Sequence, residues 1–172
     1  MLKKGFIQVY TGSGKGKTTA AIGLTVRAVG AGLQVYFCQF LKGQTCSEIK
    51  YLQSQRHQIT FKKSGGTSFV KKVQPIDFEL ANECFQAAKA AMLSGKYDVV
   101  ILDEIFAVVS TNLLNIKEIE NFIKLKPHNV EVILTGRNAP KSIVKIADLV
   151  TEMKEIKHYF NKGVQARKGI EK

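Results

Sequence analysis

Apolar positions along this chain keep two alternating rhythms. Short runs rich in β-branched and aromatic residues, beginning with Phe6-Ile7-Gln8-Val9-Tyr10, give way to longer stretches in which apolar side chains recur every three or four positions. In the first such stretch, Ala20, Ile22 or Gly23, Leu24, Val26 and Ala28 line one helical face, and Gly30 and Gly32 stop it. Continued along the chain, the pattern predicts strands near 5–11, 34–40, 58–63, 98–103, 130–135 and 148–152. It predicts helices near 17–30, 44–55, 77–95, 116–126 and 139–147. No linker, repeat or low-complexity tract interrupts this order, so residues 1–172 read as one domain. Alternation of this kind specifies an α/β fold, a three-layer α/β/α sandwich around a mainly parallel sheet of about six strands. Its ligands belong at the carboxyl ends of the strands.

The first strand runs straight into Gly12-Ser13-Gly14-Lys15-Gly16-Lys17-Thr18-Thr19, which is almost a Walker A loop. The usual G-x-x-x-x-G-K-[ST] spacing needs a glycine five positions before Gly16, and Thr11 stands there, leaving the loop one residue short from Gly12. Closely spaced glycines let backbone N–H groups turn toward phosphate oxygens, and the N-terminus of the following helix adds positive dipole. Lys17 supplies a mobile cation and Thr18 a hydroxyl for a magnesium ion. A second apolar run, Asp98-Val99-Val100-Ile101-Leu102-Asp103-Glu104, reads as a buried parallel strand ending in two carboxylates, a Walker B pattern. Together the two runs make the predicted sandwich P-loop NTPase-like, of the RecA-like kind.

At 172 residues and 45% hydrophobic composition the chain can bury a full core without staples. The formal charge of +12 suggests anionic ligands, without choosing between phosphates and nucleic acid. Lys62-Lys63 and Lys71-Lys72 bracket Gly65-Gly66-Thr67-Ser68-Phe69, and the irregular stretch 62–74 is the candidate ligand loop. No recognised nucleic-acid motif accompanies it. Cys38, Cys46 and Cys84 lack C-x-x-C spacing, and they read as reduced thiols of a cytoplasmic protein. No apolar segment approaches a membrane span, and the start lacks the apolar stretch of a signal peptide. His158, without Cys or acidic partners in its pattern, reads as a packed or capping residue rather than a metal ligand.

Further clusters fall at or beyond strand ends: Gln39-Phe40-Leu41-Lys42-Gly43, Thr135-Gly136-Arg137-Asn138-Ala139-Pro140, Ala147-Asp148-Leu149-Val150-Thr151-Glu152-Met153, and Lys157-His158-Tyr159-Phe160-Asn161-Lys162-Gly163. With the glycine loop and Arg27-Ala28-Val29-Gly30 they closely resemble the ATP:corrinoid adenosyltransferases of the vitamin B12 pathway, the cob(I)yrinic acid a,c-diamide adenosyltransferase family. The resemblance reaches through Gly169-Ile170-Glu171. The family's own loop runs G-x-G-K-G-K-T-T, which accounts for the short spacing.

The resemblance implies a transferase that moves the 5′-deoxyadenosyl group of ATP to the cobalt of a reduced corrinoid and releases triphosphate. Cobalt(I) is itself a strong nucleophile, so the protein's tasks are alignment and neutralisation of the leaving triphosphate. Lys17 and Thr18 are then catalytic. ATP is bound by Gly12, Ser13, Gly14, Lys15, Gly16, Lys17, Thr18 and Thr19, with Arg27 and Arg137 as further contacts or as surface ion pairs. Magnesium lies near Thr18, Asp103 and Glu104. Corrinoid contacts are Phe40, Lys42 and Phe69; the chain lacks Trp, which relatives carry in the loop after the third strand, and the family's Gly-Glu pair appears as Ser47-Glu48. The first strand starts close to Met1, so a longer N-terminal segment that covers the corrin in some relatives is expected to be absent or reduced. Implied partners are ATP, a corrinoid, an electron-donating reductase and a second copy in a homodimer, with no membrane and no nucleic acid. The rival readings are a P-loop ATPase or kinase that cleaves the γ-phosphate, and a nucleic-acid-stimulated ATPase.

Overall fold

The computed structural model describes residues 2–41, 47–54, 58–64 and 73–171. Six strands, β1 (Ile7–Thr11), β2 (Val35–Gln39), β3 (Ile59–Lys63), β4 (Val99–Asp103), β5 (Glu131–Thr135) and β6 (Leu149–Glu152), form one sheet in the order β3-β2-β4-β5-β1-β6. Every pairing is parallel. The helices are α1 (Lys17–Gly30), α2 (Ser47–Ser54), α3 (Pro75–Leu93), α4 (Ile105–Ser110), α5 (Ile116–Lys124) and α6 (Lys141–Ile146), with a 3-10 turn at Tyr159–Lys162. This is the α/β sandwich that the alternating rhythm predicts.

Strand parity sorts the core into two layers. Val35 and Phe37 of β2, Val99 and Ile101 of β4 and Ile133 of β5 pack with Ala21 and Ala28 of α1 and Ile49 and Leu52 of α2. Their neighbours Tyr36, Cys38, Val100, Leu102, Val132 and Leu134 point the other way, into a larger layer built from α3, α4, α5 and α6. Because the period is two, the α1 face of the sheet ends in Gln39, Asp103 and Thr135, each one step beyond an apolar residue on the same face. Parity therefore delivers three polar side chains to one corner.

Local chemistry sets the helix boundaries. Gln74 and Asp77 form a capping box around Pro75, so α3 begins two residues before its predicted start. Asn115 and Glu118 make the equivalent box for α5. At the end of α1, the Leu33 N–H donates to Ala28 O at 3.0 Å and Gly32 takes φ +80°, the expected glycine stop. α4 was not among the predicted helices. Its sequence, Ile-Phe-Ala-Val-Val-Ser, has strand composition, but Glu104 at φ 63° turns the chain out of β4 and Phe106 packs against Gly136.

The cysteine expectation is corrected. Cys38 on β2 and Cys84 on α3 are joined in a disulfide, with Cα atoms 6.9 Å apart. α3 lies over the face of β2 from which Cys38 points, a tertiary proximity that a sequence separation of 46 conceals. Cys46 lies outside the described residues. Among those residues no helix is long and apolar enough to cross a membrane.

Candidate active site at the phosphate loop

The chain from Gly12 to Gly16 curls between β1 and α1 with Gly12 at φ +100° and Gly16 at φ +118°, conformations that L side chains rarely adopt. The loop is also held from above. Gly14 N–H donates to Met153 O at 2.7 Å and Met153 N–H to Thr11 O at 2.8 Å. A Cβ on Gly12 would lie 2.3 Å from Met153 O, and one on Gly14 would lie 2.8 Å from the same atom. The glycines thus serve two demands, a left-handed turn and close approach of the chain leaving β6.

α1 starts with no acidic residue in its first turn and no side-chain cap on its N-terminus. Its free N–H groups and dipole consequently favour an anion at the loop. Lys17 is buried, and its Nζ donates to the carbonyls of Gly12 and Gly14, each at 2.8 Å. Burial pushes its pKa below the ordinary lysine value; Glu104 and Asp103 pull it up and Arg137 pushes it further down.

Behind the loop sits the polar corner built by parity. Asp103 is fully buried and accepts from the Thr18 hydroxyl at 3.0 and 3.2 Å, from the Thr135 hydroxyl at 2.7 Å and from Gln39 Nε2 at 2.8 Å. The Glu104 N–H donates to the Thr135 hydroxyl at 2.9 Å. This network fixes the Thr18 hydroxyl and the Asp103 carboxylate beside one another. Hydroxyl and carboxylate oxygens are the donors that magnesium prefers. Among the described residues no group of three or more His, Cys, Asp or Glu side chains is placed to hold a metal. Magnesium carried largely by substrate phosphates, with one or two protein oxygens, fits such a donor set.

A cavity of about 620 Å3 opens above the loop, lined by residues Ser13 to Thr19, Ile22, Ser47, Glu48, Glu104 and Arg137, and closed on its far side by the C-terminal segment. The structure thus brings together the glycine loop, Glu104 and Arg137, with Asp103 directly behind Thr18. It separates others. Arg27 lies on the exposed side of α1, about 15 Å along the helix from Lys17 at 1.5 Å per residue, and does not line the cavity. Phe40 is fully buried in the α3 layer, so its ring packs the core and is not presented to the cavity. Lys42 and Phe69 lie outside the described residues.

Several contributors carry no motif. Gln39 and Thr135 stand in quoted strand-end clusters, yet their roles as partners of Asp103 emerge only from strand register, where Gln39 pairs with Asp103. Met153 and Glu171 also stand in quoted stretches, yet no pattern there shows that the Met153 backbone meets the loop or that the Glu171 carboxylate accepts from the Lys15 ammonium at 3.3 Å.

These features define a class: an α/β protein with a glycine-rich, P-loop-like turn at the carboxyl edge of a parallel sheet and a buried acid behind its Thr. The family is then specific. Residues 3–171 match the model of the ATP:corrinoid adenosyltransferase family BtuR/CobO/CobP, and the chain belongs to that family. It is 36% identical over 170 residues to a corrinoid adenosyltransferase of Escherichia coli strain K12, covering 98% of this chain and 86% of that protein. It is 34% identical over 170 residues to the corrinoid adenosyltransferase CobA of Salmonella typhimurium, with the same coverage of 98% and 86%. The flagellar accessory protein FlaH of Methanocaldococcus jannaschii shares the fold, with a TM-score of 0.59 at 15% identity over 88% of this chain and 72% of that one.

Proposed function

We propose that this protein transfers the 5′-deoxyadenosyl group of ATP to the cobalt(I) of a reduced corrinoid and releases intact triphosphate, in formation or salvage of the adenosylated B12 coenzyme. The observation that carries this reading is the meeting of family membership over residues 3–171 with an intact phosphate loop backed by Thr18 and Asp103. Cobalt(I) gives its electron pair to C5′, the C5′–O bond breaks, and triphosphate leaves with that bond's electrons. No proton moves, so no general base is called for.

The chain's residues have correspondingly simple tasks. Backbone N–H groups of Gly12 to Thr19 and the α1 dipole hold triphosphate, and Lys17 exchanges the carbonyls of Gly12 and Gly14 for phosphate oxygens. Arg137 adds a second cation from the end of β5. Thr18, Asp103 and Glu104 would hold magnesium, which neutralises phosphate charge when bound. The corrinoid meets the open side of the cavity, with Lys42 and Phe69 as its contacts; a reductase delivers the electron that generates cobalt(I). A homodimer is supported by the edge strand β6, where Leu149 and Val150 stand exposed.

The test is an anaerobic incubation with magnesium, ATP and a chemically reduced corrinoid, followed by visible spectroscopy. Appearance of the alkyl-cobalt spectrum supports the proposal. ADP formation without spectral change overturns it in favour of a γ-phosphate-cleaving enzyme, and stimulation of that activity by DNA or RNA identifies the nucleic-acid version.

A further inference from the structure

The cavity has two unlike walls. One is the phosphate loop; the other is the chain beyond β6, which lines it through Glu155, His158, Phe160, Gly169, Ile170 and Glu171. With triphosphate on the loop, the nucleoside half of the ligand faces this second wall. Yet that wall buries no side chain in its 3-10 turn and exposes most of its residues. Something other than a hydrophobic core must hold it.

One carboxylate does. Glu171 accepts from the Arg167 backbone N–H at 2.8 Å, from the Arg167 guanidinium at 3.0 and 3.3 Å, from the Tyr159 hydroxyl, and from Lys15 Nζ at 3.3 Å. Lys15 also donates to Ile170 O at 3.2 Å, and the Arg167 guanidinium lies over the Tyr159 ring at 5.0 Å. The Glu171 side chain is 12% exposed, against 43% for Lys15 and 54% for Arg167, so the acid is the enclosed hub and the cations its rim. The arrangement ties the 3-10 turn and the chain end to the phosphate loop through a lysine that is not the Walker lysine.

What this hub holds in place has the chemistry of a base-binding surface. The Phe160 ring is exposed into the cavity, and His158 Nδ1 accepts from the Phe160 N–H at 3.0 Å. In a neutral imidazole that bond leaves the proton on Nε2, a donor for a heterocycle nitrogen. An exposed ring beside a fixed donor suits a stacked purine.

We infer that Glu171 is a positioning residue that clamps the C-terminal segment to Lys15 as the nucleoside-recognising wall, so that the site selects a nucleoside triphosphate over bare tripolyphosphate. The inference rests on the proposed ATP site. It assigns Lys15 the task of anchoring that wall through its side chain, beyond any phosphate contact by its backbone.

The test measures calorimetric binding of magnesium-ATP and of magnesium tripolyphosphate to the full chain and to E171Q, F160A and K17A. The E171Q variant should bind ATP about tenfold more weakly, as one charge-assisted hub is lost, while its tripolyphosphate affinity stays within about twofold of the parent. F160A, an exposed position that does not endanger folding, should show the same ligand-selective loss, about tenfold from stacking. Equal weakening of both ligands by E171Q, or an unchanged ATP affinity in both E171Q and F160A, overturns the inference. K17A separates this from the underlying reading: undiminished binding of both ligands there would refute the phosphate site itself.

Discussion

The phosphate loop and the C-terminal segment face one another across one cavity and are held by opposite means. The loop is fixed by backbone geometry, glycines that admit Met153, and a buried acid that accepts four hydrogen bonds from three side chains. The segment is fixed by side-chain charge near solvent, with Glu171 between Lys15, Arg167 and Tyr159. Under the proposed reaction, rigid, desolvated groups suit the half that would meet a constant charge pattern, where preorganisation would lower the cost of neutralising a leaving triphosphate. Under the same proposal, a salt-sensitive clamp suits the half that would face the nucleoside.

The largest expected effect lies on the rigid side. Lys17→Ala should lower turnover by about 10²–10³-fold, the range seen when one preorganised donor to developing charge is removed. A steady-state assay checks this, and a loss below tenfold would mean the leaving group is neutralised elsewhere. Asp103→Ala strands Thr18, Thr135 and Gln39 together. It should cost about 1–3 kcal/mol of stability for each donor left unsatisfied, read from urea unfolding. Asp103→Asn keeps the shape and should cost less stability, while still weakening the magnesium dependence of activity.

Gly14→Ala sharpens the contrast further. Its Cβ would fall 2.8 Å from Met153 O and 2.9 Å from the Lys154 carbonyl carbon. The chain after β6 must shift, so thermal unfolding should fall by about 1–3 kcal/mol equivalent and ATP affinity should drop with it. Lys168→Ala, on the exposed segment and outside the hub, should change neither.

The smallest effects are those of pH. Lys17 has a folded pKa below 10.5 because of burial, so the folded state disfavours its ammonium. Stability should therefore rise slightly as pH climbs from the folded value toward 10.5, while ATP affinity falls over the same window as the cation is lost. Glu171 is shifted the other way: hydrogen bonds from Arg167 and Tyr159 hold its pKa far below the ordinary 4.5. Its contribution to stability is complete above 4.5 and is lost progressively as pH falls below that value toward the folded one; the carboxylate of the folded protein stays ionised in mild acid, so the clamp should persist there and weaken instead with added salt. Ligand-selective affinity measured across a salt series separates the two walls.

The same division governs what the residue order made legible. The loop and β4 were readable because glycine spacing, an apolar run and terminal acids are local patterns with a physical cause. All six strands fall where alternation put them, and α4 escaped because Glu104 in a left-handed turn overrides a strand-like composition. Strand parity could have revealed Gln39 and Thr135 as companions of Asp103, since each ends an apolar ladder on the α1 face. Phe40 shows the limit of position alone: it follows β2 directly, as a ligand contact would, but its side chain turns into the core. The Cys38–Cys84 pairing and the Lys15–Glu171 contact bridge 46 and 156 positions, distances over which no local pattern carries information.

The proposed reaction breaks the C5′–O bond and leaves both phosphoanhydrides intact. Phosphorus NMR of an anaerobic turnover mixture, with ATP and reduced corrinoid, reads this directly. Intact tripolyphosphate in equal amount to adenosylated corrinoid is the expected result; accumulation of ADP and orthophosphate with unmodified corrinoid would contradict the proposed transfer.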